Sequence, residues 1–195
     1  MKTTLIFATN NQHKVDEIRF VTGSQFEIIT LKEAGIDIDI PEPHDTLEAN
    51  ASEKSRTIHR LTGKNCFSED TGLEVESLNG EPGVKSARYA GDGREFQKNI
   101  DKLLHNLTRE NNRSAKFRTV VSLILHDKEY LFEGVCEGHI AESQKGVEGF
   151  GYDPIFIPAG AAVSFAEMTM EEKTKYSHRQ KAVTKLIEFL NSQHT

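Results

Sequence analysis

Four apolar residues, Leu5-Ile6-Phe7-Ala8, give way abruptly to the polar run Thr9-Asn10-Asn11-Gln12-His13-Lys14. The apolar run reads as a buried strand. Over 14–22 the apolar spacing becomes helical, with Val15, Ile18 and Val21 inward. A second short strand is predicted over 26–31, and 35–45, with two prolines and several acids, reads as a loop. Leu47, Ala51, Lys54, Ile58 and Leu61 share one helical face, with Asp45 as cap and Glu48 completing a capping box. Lys54 interrupts that apolar stripe and is expected to snorkel. Cys66-Phe67-Ser68 reads as a short strand ending at Glu69-Asp70-Thr71-Gly72.

Asn79-Gly80 and Pro82-Gly83 mark a turn-rich loop reaching about Gly93. Phe96, Ile100, Leu103, Leu104 and Leu107 then predict an amphipathic helix facing the core. Strands over 117–125 and 129–137 flank His126-Asp127-Lys128 as an antiparallel hairpin. A loop over 142–149 precedes a brief strand, 155–157, stopped by Pro158. Thr169 and Glu172 form a capping box, and Ala182, Val183, Leu186 and Leu190 predict a C-terminal helix. Alternating elements plus a hairpin imply an α/β fold with a mixed sheet.

The chain's 195 residues suit one domain or two closely joined lobes. A net charge of −6 argues against a general nucleic-acid binder and makes any polyanion site a local basic island. Cys66 and Cys136 lie in apolar runs without metal or redox spacing, which implies buried structural thiols. With no long apolar leader and no run approaching a membrane span, the expectation is a cytoplasmic protein without a membrane partner.

Small polar donors, a lysine and a helix start directly after a strand suit a polyanion. The same residues equally make an ordinary capped βα turn, and no P-loop spacing is present. Glu69-Asp70 at a strand end can hold Mg²⁺, or be a solvated acidic turn. Glu42, stiffened between Pro41 and Pro43, is either a presented ligand or a surface glutamate. Phe150-Gly151-Tyr152-Asp153 can stack a base and hydrogen-bond its edge. Lys173 and Ser177-His178-Arg179, at the start of the last helix, suit an anion or carbonyl partner, or simply form charged surface.

Five blocks together resemble the inosine/xanthosine triphosphate pyrophosphatase (RdgB-like) family. They are Thr9-Asn10-Asn11-x-x-Lys14, Glu69-Asp70-Thr71-Gly72-Leu73, and Pro82-Gly83-Val84-Lys85-Ser86-Ala87-Arg88-Tyr89. The others are Gly149-Phe150-Gly151-Tyr152-Asp153-Pro154-Ile155-Phe156 and Ala166-Glu167-Met168 through Glu172-Lys173 to Ser177-His178-Arg179. Lys85 stands where the family commonly has tyrosine, a departure confined to one loop.

The resemblance implies a single domain over 1–195, with a long mixed sheet, flanking helices and two lobes around a cleft. It also implies a homodimer and Mg²⁺-dependent hydrolysis of ITP, dITP and XTP to the monophosphate and pyrophosphate. By position, Asp70 becomes the catalytic carboxylate and a metal ligand, joined by Glu42 and, as a further option, Glu69. Thr9, Asn10, Asn11, Gln12, His13, Lys14, Thr71 and Lys173 would hold the triphosphate. Phe150, Gly151, Tyr152, Asp153, His178 and Arg179 would hold the base. Replacing Arg179 is accordingly expected to cost base preference more than stability. A Maf-like diphosphatase for another nucleotide and a non-catalytic binding module are the competing readings.

Overall fold

The computed structural model describes residues 3–193. Its strands are β1 (Thr4–Phe7), β2 (Glu27–Thr30), β3 (Cys66–Val75), β4 (Pro82–Gly83), β5 (Ser114–Leu125), β6 (Lys128–Ile140) and β7 (Phe156–Pro158). They form one sheet in the order β2-β1-β3-β5-β6-β7, with β4 paired to β3. β1 is parallel to β2 and β3, whereas β4 is antiparallel to β3 and β7 to β6. The sheet is therefore mixed, as the sequence pattern implies. The helices are α1 (Gln12–Thr22), α2 (Leu47–Thr62), α3 (Phe96–Asn106), α4 (Met170–Thr174) and α5 (His178–Ser192). None of the described helices is long and apolar enough to cross a membrane.

The chain divides into two compact units. The first comprises the described residues up to Asp70, Thr119–Gly134 and those from Arg179 onward; the second comprises Thr71–Arg118 and Val135–His178. Strand alternation builds the first unit's core on both sheet faces. Leu5, Phe7 and Phe67 join Val121, Leu123 and helical Val15, Ile18, Val183 and Leu186 on one side. Ile6, Ala8, Cys66 and Ile124 join Leu31, Ile40 and Ile58 on the other. The second unit has its own core, in which Leu73, Val75, Ile100, Leu103, Phe117, Ile140, Phe156 and Phe165 take part.

Several sequence expectations need correction. β3 does not end at Glu69-Asp70 but continues to Val75, because Leu73 and Val75 are fully buried and extend the strand's apolar pattern beyond the acids. Thr46 caps α2, not Asp45: its side chain accepts from the Ala49 amide at 3.2 Å. Leu61 is exposed rather than inward, and so is Phe96. β7 retains Pro158, which an edge strand tolerates because no ladder bond is lost there. The hairpin turn is tighter than predicted. His126 and Asp127, both at positive φ, connect β5 to β6 as a two-residue turn.

Candidate active site

In the first unit the site grows from the end of β1. Phe7 stacks on Phe67 of β3 with ring centroids 4.5 Å apart, so buried packing fixes the strands just before the polar residues begin. Beyond β1, Thr9 Oγ1 accepts from the Asn11 amide at 3.2 Å. Asn11 caps α1, its Oδ1 accepting from the Lys14 amide at 3.3 Å. Asn10 Nδ2 donates to Ile38 O at 2.8 Å, and Gln12 Nε2 donates to Asp16 Oδ1 at 2.7 Å. Asn10 and Gln12 thus spend side-chain donors inside the protein, whereas Thr9 and Asn11 act in these bonds only as acceptors and keep a hydroxyl and an amide donor suited to an anion. His13 is exposed. The anion-binding character of the turn therefore rests on the Thr9 and Asn11 side-chain donors, on the helix-start N–H groups that the caps do not use, and on Lys14.

Lys14 Nζ lies 2.7 Å from Glu69 Oε1. The same carboxylate accepts two bonds from Arg179, from Nε at 2.7 Å and from Nη2 at 3.1 Å, a bidentate pair. The Arg179 guanidinium also bonds Glu17, so one ionic chain ties α1, β3 and α5. Burial alone would raise the Glu69 pKa, but Arg179 and Lys14 hold it well below the usual carboxylate range. Burial likewise opposes charge on Arg179, yet Glu69 and Glu17 keep it firmly cationic.

Asp70 belongs to a second array. Lys54 Nζ stands 2.6 Å from Glu42 Oε1 and 3.2 Å from Asp70 Oδ1. Burial raises the Asp70 pKa and the Glu42 charge adds to this, while Lys54 and Lys14 offset part of it; the net direction is upward. Lys54 behaves conversely: burial opposes its charge, but Asp70 and Glu42 outweigh that and raise its pKa. Its snorkelling is thereby corrected, since Lys54 is buried and reaches inward to two carboxylates. Neither Lys54 nor Glu17 was singled out as functional. The available signal was a charge in the buried series of each helix, Lys54 among Leu47, Ala51 and Ile58, and Glu17 between Val15 and Ile18.

Among the described residues no cluster of three or more His, Cys, Asp or Glu side chains is arranged to hold a metal. Glu42 and Asp70 nevertheless share one cation, the Lys54 ammonium, and are hard oxygen donors. That pair suits Mg²⁺, which takes one or two carboxylates and completes its shell with water and phosphate oxygens. Glu69 is less suited, because Lys14 and Arg179 already occupy both its oxygens. The Cys66 thiol, pushed up to about 12 by burial, is no nucleophile.

The second unit gathers Phe150, Asp153 and Lys173. Asp153 Oδ2 accepts from the Phe150 amide at 2.9 Å and from Lys173 Nζ at 2.7 Å. The Lys173 ammonium lies 5.4 Å from the Phe150 ring centroid and 5.3 Å from that of Phe165. Gly149 is required there: its φ is +75° and a Cβ would stand 2.1 Å from Asp153 Oδ2. Lys173 was expected with the triphosphate group; its observed partners are instead residues expected around the base. Tyr152 is a core residue whose hydroxyl donates to Ser86 O at 2.9 Å. The His178 ring is buried against Phe117, with centroids 4.6 Å apart. Neither ring is therefore exposed for stacking, unlike the half-buried Phe150. Gly151 adopts φ +61°, and Thr71 is half-buried beside Asp70. Arg179 lies in the first unit, as counter-ion to Glu69 and Glu17.

The family profile described as "Ham1 family" matches residues 5–189. The chain is 46% identical over 188 residues to a protein of Flavobacterium psychrophilum named "dITP/XTP pyrophosphatase", covering 96% of this chain and 99% of that protein. A protein of the same name from Porphyromonas gingivalis is 50% identical over 187 residues, covering 95% and 96% of the two chains. Among solved structures, the Staphylococcus aureus Ham1 protein superposes with a TM-score of 0.88 at 36% identity, covering 98% of this chain and all, 100%, of the other.

Proposed function

The chain belongs to the Ham1 family, and on that premise we propose that it hydrolyses deaminated purine nucleoside triphosphates (ITP, dITP and XTP) to the monophosphate and pyrophosphate. The observation that carries this reading is the pair of ionic arrays, Lys14–Glu69–Arg179–Glu17 and Glu42–Lys54–Asp70, buried except at the half-buried Lys14 and Glu42. Cleavage between the α- and β-phosphates needs a water aimed at the α-phosphorus and cations for the departing pyrophosphate. Lys14 and the α1 backbone amides suit the phosphate chain, and Lys54 supplies further positive charge. Asp70, with its raised pKa, is suited to orient and deprotonate the water once ionised. Glu42 and Asp70 would hold Mg²⁺, which when bound adds charge neutralisation on phosphate oxygens.

In the second unit, Phe150 offers a face for a purine, while the Lys173 ammonium, anchored by Asp153, is a donor suited to a purine C6 carbonyl. Adenine presents an amino donor there, leaving two donors opposed, a strongly discriminating mismatch in a desolvated pocket. Homodimerisation and a cytoplasmic setting are parts of the same proposal, supported by the family resemblance.

A nucleotide panel with Mg²⁺, read for pyrophosphate against orthophosphate, tests it. Turnover of ITP and XTP is expected at least ~10²-fold above ATP, with pyrophosphate released. Equal turnover of ATP and GTP would favour the Maf-like alternative, and no turnover at all a binding module.

A further inference from the structure

Phe96 has no use in the core that its periodicity assigns it. Ile100 and Leu103, on the same helical face, are buried in the second unit, whereas Phe96, at the first turn of α3, is 41% exposed. Its ring instead meets Phe150, with centroids 6.1 Å apart and planes 47° from each other, within the range of a favourable aromatic pair.

Phe150 is a ring that needs such a neighbour. It sits between Gly149 and Gly151, both at positive φ, so neither adjoining residue has a Cβ to buttress it. Its amide is tied to Asp153 and its ring faces the Lys173 ammonium, which holds the backbone and one approach to the ring. A base stacks productively only on a ring whose plane is fixed beforehand, because orienting it at binding costs affinity.

We propose that Phe96 is a positioning residue for the purine: it fixes the plane of Phe150 and widens the aromatic surface on which the base stacks. The inference rests on Phe150 and Lys173 being the base-binding side of the enzyme. It adds a specificity element carried on α3, outside the motifs that carry the family resemblance. Because Phe96 contributes little to the core, its loss acts on substrate affinity rather than on folding.

The test compares Phe96→Ser, Phe96→Tyr and Phe150→Ala, using ITP as substrate and inorganic tripolyphosphate, which has no base, as inhibitor. Phe96→Ser should raise KM for ITP about threefold to tenfold, the scale of one aromatic pair. Its kcat should stay within about twofold and its tripolyphosphate Ki should not change, since the phosphate side is untouched. Phe96→Tyr should keep the wild-type KM. An unchanged KM in Phe96→Ser alongside a raised KM in Phe150→Ala would overturn the role of Phe96 and leave the base site intact. A tripolyphosphate Ki that rises with KM would expose general distortion and overturn it equally. If Phe150→Ala also leaves KM unchanged, the base-site reading fails and this inference with it.

Discussion

Asp70→Asn is expected to lower kcat for ITP by about 10³-fold while the protein stays folded and still binds nucleotide, the scale of a lost general base with its charge. The substitution keeps the shape of the side chain and removes its charge. Burial already disfavours that charge in the folded state. A carboxyl whose folded pKa lies above its unfolded value lowers stability when ionised, so stability from this group falls as pH rises through that window. Neutralising Asp70 therefore should not lower the melting temperature at neutral pH, and Lys54 keeps Glu42 as its partner. For the metal-free protein this predicts a melting temperature that falls as pH rises through the Asp70 titration, a component that Asp70→Asn should lack. Calorimetry and steady-state kinetics on the variant check both parts. Retained turnover would remove Asp70 from its role.

Arg179→Met is expected to act chiefly on stability. The guanidinium is buried against Glu69 and Glu17, and its removal takes the guanidinium counter-charge from Glu17 and leaves Glu69 with Lys14. Breaking a buried pair in this way costs about 3–5 kcal/mol. For a chain of this size that lowers the melting temperature by roughly 6–20 °C. Adding Glu17→Gln to Arg179→Met should recover part of the loss, because the buried negative charge that lost the guanidinium disappears. A melting temperature within about 2 °C of wild type would show that the ionic chain does not hold α1, β3 and α5 together. This reverses the expectation from sequence, in which Arg179 mattered more for base preference than for stability. The reversal comes from Glu69 and Glu17, which lie far from Arg179 along the chain.

Local pattern made some of the site legible and long-range pairing hid the rest. The β1–α1 junction was readable because Leu5 to Ala8 switch sharply to polar residues, and the caps and helix start follow from that switch alone. Asp70 was readable as one of two acids after a buried run, but the strand containing it was cut short. A continuous strand through Glu69-Asp70 is stable only because Lys14, Arg179 and Lys54 arrive from three separate helices. No local window contains those partners. Lys54 looked like a misplaced surface lysine for the same reason. Tyr152 and His178 erred in the opposite direction: their rings suggest stacking, yet both are buried, Tyr152 by a bond to Ser86 and His178 by Phe117. Phe96 shows that helical periodicity marks a face without showing how far along the helix the core extends.

The proposal's centre is that water attacks the α-phosphorus under the control of the Asp70 array. Hydrolysis of ITP in ¹⁸O-enriched water with Mg²⁺, followed by ³¹P NMR of the products, tests this most directly. The account predicts one ¹⁸O in the inosine monophosphate, none in the pyrophosphate and no orthophosphate. Label in the pyrophosphate, or orthophosphate as the product, would contradict it.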